Sequence, residues 1–183
     1  IQYVGGIVGI AGTISNCTTS GAINMAGGRM ENVGGIAGRV YSSTTNCISN
    51  MSITLNSNAN KYGISNIQYV GGLVGNGVTI TNCTTNGTIT ASASNSFDSY
   101  YAQINYVGGL VGTAYTISSS SASGAINIKS GKSAQYVGGI AGYLRNGVNK
   151  SYSTMNISVT PEGQNIGGRL WLQYNNKSML FYR

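Results

Sequence analysis

YVGGIVG at Tyr3–Gly9, NVGGIAG at Asn32–Gly38, YVGGLVG at Tyr69–Gly75, YVGGLVG at Tyr106–Gly112, YVGGIAG at Tyr136–Gly142 and a decayed NIGGRLW at Asn165–Trp171 are versions of one phrase. The first glycines of the pairs (Gly5, Gly34, Gly71, Gly108, Gly138 and Gly167) lie 29, 37, 37, 30 and 29 residues apart by subtraction. Self-similarity at such periods marks stacked repeats: a unit this small cannot bury its own apolar face, and a stack of units can.

Each unit reads as three short β-prone segments separated by Gly, Asn and Ser; in the first they are Tyr3–Gly9, Thr13–Thr19 and Gly21–Met25. In the third segment Ile23, Ile53, Ile89, Ile126 and Ile157 form one column, and Met25, Leu55, Ala91, Ile128 and Val159 another two residues on. A spacing of two puts both columns on one strand face, and their apolarity turns that face inward. In the first segment Val4, Val33, Val70, Val107, Val137 and Ile166 precede the glycines, and Ile7, Ile36, Leu73, Leu110 and Ile140 follow them. These columns are three apart, which breaks alternation and implies a bend at the double glycine, where backbones approach closely or φ turns positive. No helical period persists, and glycine every few residues penalises a helix. The expected fold is an all-β parallel β-solenoid with about three short strands per coil. It has five full coils and a partial terminal one, about 25–30 Å long at about 4.8 Å per coil. A β-propeller blade needs four strands, more than a 29-residue unit holds. One repeat domain over residues 1–168, with units starting near 3, 32, 69, 106, 136 and 165, is followed by a terminal segment, 169–183.

Only 7% of the 183 residues are charged, against about 25% in an ordinary domain. The 41% hydrophobic content at fixed repeat positions argues against disorder. A net charge of +7 comes from ten Lys and Arg against Glu31, Asp98 and Glu162. Such a balance attracts anionic partners, but the cations are scattered and form no run, so no nucleic-acid site is expected. No apolar stretch of about 18 residues is present, so no membrane-spanning helix is expected. The chain begins at Ile1, within a repeat unit, as expected of a processed product or a segment of something larger.

Gly72-Leu73-Val74-Gly75 and Gly109-Leu110-Val111-Gly112, with Ile variants at Gly6–Gly9, Gly35–Gly38 and Gly139–Gly142, resemble the GLUG-motif repeat family. The surrounding YVGG, Asn-Cys step and Gly-any-Ile also fit, up to about Gly168. The resemblance implies a large secreted or surface-attached protein, often a microbial adhesin, or a non-catalytic region of an immunoglobulin A-cleaving metallopeptidase. It names no ligand.

The inventory of reactive side chains points away from catalysis. Without His there is no Ser-His-Asp triad, Cys-His pair or HExxH zinc site. The three acids stand 67 and 64 residues apart, a poor basis for paired-carboxylate chemistry. Calcium-binding solenoids need an Asp in each turn, and the chain has one Asp. No cofactor and no metal site are expected. Cys17, Cys47 and Cys83 fall 12, 13 and 12 residues after the first glycine, and Ser120 and Ser151 take that place in later units. With no CxxC spacing and an odd count, this reads as a buried Cys/Ser ladder that wants a small, weakly polar side chain. Threonines recur in the middle segments, yet Ser and Lys interrupt them in units four and five, so they read as β-branched residues supporting exposed strands rather than as an ice-binding array. Sequons begin at Asn16, Asn50, Asn82, Asn86, Asn149, Asn156 and Asn176 and become glycan sites only in a eukaryotic secretory pathway.

Two features hold candidate contact residues. Units two and three carry seven or eight extra residues, mainly at 56–68 and 93–105, with Lys61, Tyr62, Phe97, Tyr100 and Tyr101 among them. Insertions on one edge of adjacent coils shape binding faces, and these aromatics suit sugar rings or protein partners. The alternative, surface decoration packed on the solenoid wall, has equal standing. The terminal segment contains Trp171, Tyr174, Leu180, Phe181 and Tyr182 around a turn-like Asn175-Asn176. It is expected to cap the rod or to dock on another copy, since a solenoid end exposes unpaired strand edges. The function expected is a non-catalytic extracellular or cell-surface adhesion or structural module contacting glycans or proteins. The alternatives are a self-assembling filament subunit, stacking head to tail or onto flanking repeats, and a non-catalytic region of a secreted peptidase.

Overall fold

The computed structural model describes residues 1–59, 64–95, 102–131, 133–160, 164–167, 172–174 and 177–179, the last three stretches through their backbone. They form a parallel β-solenoid with three faces.

The first face holds β1 (Gln2–Gly5), β5 (Arg29–Gly34), β9 (Ser65–Gly71), β13 (Ala102–Gly108), β16 (Ser133–Gly138) and β20 (Gln164–Gly167), one per coil. The second holds β2 (Val8–Ala11) with β3 (Ile14–Ser15), β6 (Ala37–Val40) with β7 (Ser43–Thr45), β10 (Val74–Asn76) with β11 (Thr79–Thr81), then the longer β14 (Val111–Ser118) and β17 (Ala141–Asn149). The third holds β4 (Thr18–Gly27), β8 (Ile48–Ala59), β12 (Thr84–Asn95), β15 (Ser121–Ser130) and, in coil five, β18 (Tyr152–Ser153) with β19 (Asn156–Thr160). Register repeats from coil to coil, as in Val33↔Val70, Val70↔Val107 and Ile53↔Ile89. The ladder continues across the bends, where the Leu73 N–H donates to the Leu110 carbonyl at 2.8 Å.

The columns read from the sequence line the core. Val33, Val70, Val107, Ile36, Leu73, Leu110, Ile53, Leu55 and Ile126 are fully buried. Each face carries β-branched or aliphatic residues at spacing two, and stacking joins the faces into one core.

The corners lie inside two of the expected segments. Tyr3–Gly9 crosses from the first face to the second at the double glycine, and Thr13–Thr19 crosses to the third at Asn16. Among the described residues the glycines of the pairs keep ordinary φ, and close approach is what selects them. Positive φ falls two residues earlier, at Tyr3, Asn32, Tyr69, Tyr106 and Tyr136 (52° to 59°). A second left-handed column, Asn16, Asn46, Asn82, Ser119 and Lys150, turns the chain at the next corner with φ of 46° to 55°. Asn tolerates this region best, and its amides tie the coils: Asn82 Nδ2 donates to Asn46 Oδ1 at 2.7 Å and Asn46 Nδ2 to Asn16 Oδ1 at 3.2 Å.

The described residues of the insertions in units two and three mostly lengthen strands. β8 and β12 run on in register through Ser94↔Asn58 and Asn95↔Ala59, and β9 and β13 begin early with Ser65↔Ala102. Ser57, Ser65 and Ser130 are buried at this corner, where Ser65 Oγ donates to the Ser57 carbonyl at 2.8 Å and Ser130 Oγ to that of Ala102 at 2.9 Å. Past the last coil, β21 (Leu172–Tyr174) and β22 (Lys177–Met179) make an antiparallel pair whose backbone lies against β17.

Candidate functional site

The left-handed corner at the first residue of each YVGG phrase throws its side chain outward, and stacking coils turns those side chains into a column. Tyr106 lies between Tyr69 and Tyr136, with ring centroids 5.1 and 4.9 Å away and planes within 8° and 4° of parallel. A left-handed backbone costs an L-residue roughly 1–2 kcal/mol, unusual for a bulky side chain. Offset stacking returns about 0.5–1.5 kcal/mol per pair. The last glycine of the phrase makes room for the corner: a Cβ on Gly75 would sit 2.6 Å from the Tyr69 carbonyl oxygen, and one on Gly38 2.5 Å from that of Asn32. Burial, and then the neighbouring phenols of Tyr69, Tyr136 and Tyr143, push the Tyr106 hydroxyl above its ordinary pKa.

Beside this column the second face adds a column that changes identity in each coil. Arg39 of β6, Asn76 of β10, Thr113 of β14 and Tyr143 of β17 are register partners on four successive coils. Tyr143 sets its ring edge-on to Tyr106 and Tyr136, at 6.2 and 6.1 Å. Val78, Tyr115 and Arg145 form the outer rim. Together these side chains line a groove of about 500 Å³ along the wall of coils two to five. Tyr115 and Tyr143 are about half exposed. Both end coils carry an extra residue at the rim. In coil two, Arg39 to Ser43 takes four steps against three from Asn76 to Thr79. In coil five the register with β14 shifts between Ala114 and Thr116. Such bulges re-aim side chains, and here they swing Tyr41 and Arg145 outward. Arg39 then lies over the Tyr41 ring, 4.8 Å from its centroid.

The Cys/Ser column lies at the second corner, just after the left-handed residue. Cys17 Sγ, Cys47 Sγ, Cys83 Sγ, Ser120 Oγ and Ser151 Oγ each donate to the carbonyl two residues back, at 3.2, 3.1, 3.2, 2.7 and 2.8 Å. The shared bond explains the exchange of Cys for Ser. All three cysteines are free thiols. Burial pushes Cys83 up to about 11 and also raises Cys47. Thiolate chemistry is thereby disfavoured at both. Among the described residues no three His, Cys, Asp or Glu side chains form a group able to hold a metal ion.

Asn16, Asn50, Asn82, Asn86, Asn149 and Asn156 are exposed on the solenoid surface. Asn86 Nδ2 donates to Asn50 Oδ1 at 3.0 Å, so two of these sequons share one amide ladder. Asn176 lies outside the described residues, as do Lys61, Tyr62, Phe97, Tyr100, Tyr101, Trp171, Leu180, Phe181 and Tyr182; Tyr174 is described through its backbone in β21. The groove was not anticipated from the sequence, although its tyrosines head the phrases that defined the repeat. The 12-versus-13 spacing from glycine to Cys or Ser was the legible trace of its two bulges. No family model, curated protein or solved structure matches the chain.

Proposed function

We propose that the chain is a non-catalytic extracellular contact module: a rigid β-solenoid that displays the tyrosine-lined groove to a surface glycan or protein. The observation that carries this reading is the groove itself. Three coils spend backbone strain to hold Tyr69, Tyr106 and Tyr136 outward, and strain that persists on a surface column is a mark of function. Concavity, exposed aromatic rings and a few polar groups are the ordinary make-up of a binding site. The absence of His and the scarcity of acids support a passive role. Extracellular placement and membership of the GLUG-type repeats rest on the resemblance of the motif. The test is binding of the folded chain to an array of host and microbial surface glycans, in parallel with Tyr115→Ala/Tyr143→Ala. The double variant should keep its circular dichroism and lose at least tenfold in binding. Equal binding by the variant overturns the reading.

A second reading, self-assembly by end stacking, is favoured by the first coil. β1, β3 and β4 are terminal in their sheets, and Ile7 is 52% exposed where its column mate Ile36 is fully buried. An edge of this kind accepts a further strand, from a preceding coil of a longer chain or from another copy. Sedimentation over a concentration series decides it: growing species support assembly, and a constant monomer removes it.

A further inference from the structure

The groove has a one-sided charge. Among its lining residues Arg39 and Arg145 are the ionised groups at neutral pH, and no carboxylate joins them. Among the described residues the sole ion pair, Arg29 with Glu31, is on the first face and involves neither of them. We propose that the groove binds an anionic glycan, a chain of carboxylate- or sulfate-bearing sugars laid along the rod axis, with acidic groups taken by Arg39 at one end and Arg145 at the other. The proposal rests on the contact-module reading and adds the class and direction of the ligand.

Three observations point to this class. The first is donor geometry. A guanidinium is a planar fork that matches a carboxylate or sulfate edge, and stacking on an aromatic ring leaves that edge free. Arg39 is held in this way over Tyr41. The second is the make-up of the stretch between the arginines. Asn76 and Thr113 offer amide and hydroxyl groups to sugar hydroxyls, while the half-exposed rings of Tyr115 and Tyr143 offer apolar faces to sugar C–H groups. Tyr106 is stacked on both faces and presents its edge and hydroxyl. The third is spacing. The arginines stand on coils two and five, three ladder steps or about 14 Å apart along the axis. One step, about 4.8 Å, is close to the advance of one pyranose in an extended chain, so successive sugars meet successive coils. An extended peptide returns a side chain to the same side only every about 6.7 Å and falls out of register with the rungs.

The test is calorimetric titration of the whole chain with oligogalacturonate and with a sulfated galactan oligomer. Each is run beside its own neutral form, carboxyl-reduced or desulfated, and poly-glutamate is run as the peptide control. At least one anionic oligomer should bind tenfold or more tightly than its neutral form, and weaken as salt rises. Arg39→Gln and Arg145→Gln should each weaken that binding about tenfold and weaken the neutral form by much less, so that the preference for the anion collapses. If neutral and anionic forms bind alike and Tyr143→Ala weakens both, the contact module stands and the anionic assignment falls. Poly-glutamate binding as tightly with the same arginine dependence overturns it in favour of an acidic peptide. No binding by either anionic oligomer also overturns it, while the glycan array judges the contact reading separately.

Discussion

Gly72→Ala adds one methyl group at the bend between the first and second faces, in the middle of the rod. Its Cβ would fall on the carbonyl oxygen of Gly109 in the next coil and lie 3.3 Å from Thr85 Cβ and Cγ2. That oxygen already accepts the Gly72 N–H at 3.1 Å and Thr85 Oγ1 at 3.0 Å. A backbone carbonyl cannot rotate away as a side chain can, so the coils must separate. Overpacking of this kind costs about 1–3 kcal/mol. Losing both hydrogen bonds adds about 1 kcal/mol each. The expected destabilisation is about 3–5 kcal/mol, a large part of a typical domain's about 5–15 kcal/mol. Gly12→Ala is the matched control. No atom lies within 4 Å of a Cβ at Gly12, and its φ is outside the left-handed region. There the methyl group should stabilise by about 0.4–1 kcal/mol through the unfolded chain. Urea unfolding followed by far-ultraviolet circular dichroism compares the two. Stabilities within about 1 kcal/mol of one another would refute the claim that close approach, and not conformational freedom, dictates the double glycine.

Asn46→Ala loses both amide ladder bonds and puts Ala at φ 53°, for an expected cost of about 2–3 kcal/mol. Asn46→Gly keeps the backbone comfortable and should recover about 1 kcal/mol of that in the same urea assay. Cys83→Ser should lie within about 1 kcal/mol of the parent at neutral pH, because Ser120 and Ser151 already make the same bond in the next two coils of the column. At high pH the two should diverge. The Cys83 thiol is raised from 9.0 to about 11, so its share of stability is complete below pH 9 and is lost as pH climbs through 11. Thermal melts across that range should show a smaller loss for Cys83→Ser, and parallel losses would contradict the assignment. Labelling with a thiol reagent at neutral pH should modify half-buried Cys17 before Cys47 and Cys83, and simultaneous labelling would contradict the burial order.

The fold was legible because core columns are constrained alike in every coil. Val33, Val70 and Val107 fill one slot, so the sequence repeats where packing repeats. The double-glycine bend was legible for the same reason, as two core columns three residues apart. The tyrosine corner was not. A left-handed φ at Tyr69 or Tyr106 has no residue preference to announce it, unlike the Asn of the next corner. The groove was the hardest to see. Arg39, Asn76, Thr113 and Tyr143 share one register position and no chemistry, because a wall position faces solvent and is free to vary. A site built from one different residue per coil leaves no period to detect. The strand extensions in the insertions were not legible because residues beyond Ser57 have no partner in unit one, whereas β8 and β12 supply each other's partners.

Carbon-13 labelling of the tyrosine rings, with spectra recorded while acidic and neutral oligosaccharide pools are added, tests the contact surface most directly. Binding at the groove predicts shifts confined to Tyr69, Tyr106, Tyr115, Tyr136 and Tyr143 and to Tyr41 beneath Arg39, with Tyr152, which is 61% exposed on the third face, left unmoved. Shifts centred on Tyr152, or a bound oligosaccharide that moves none of the groove tyrosines, would contradict it.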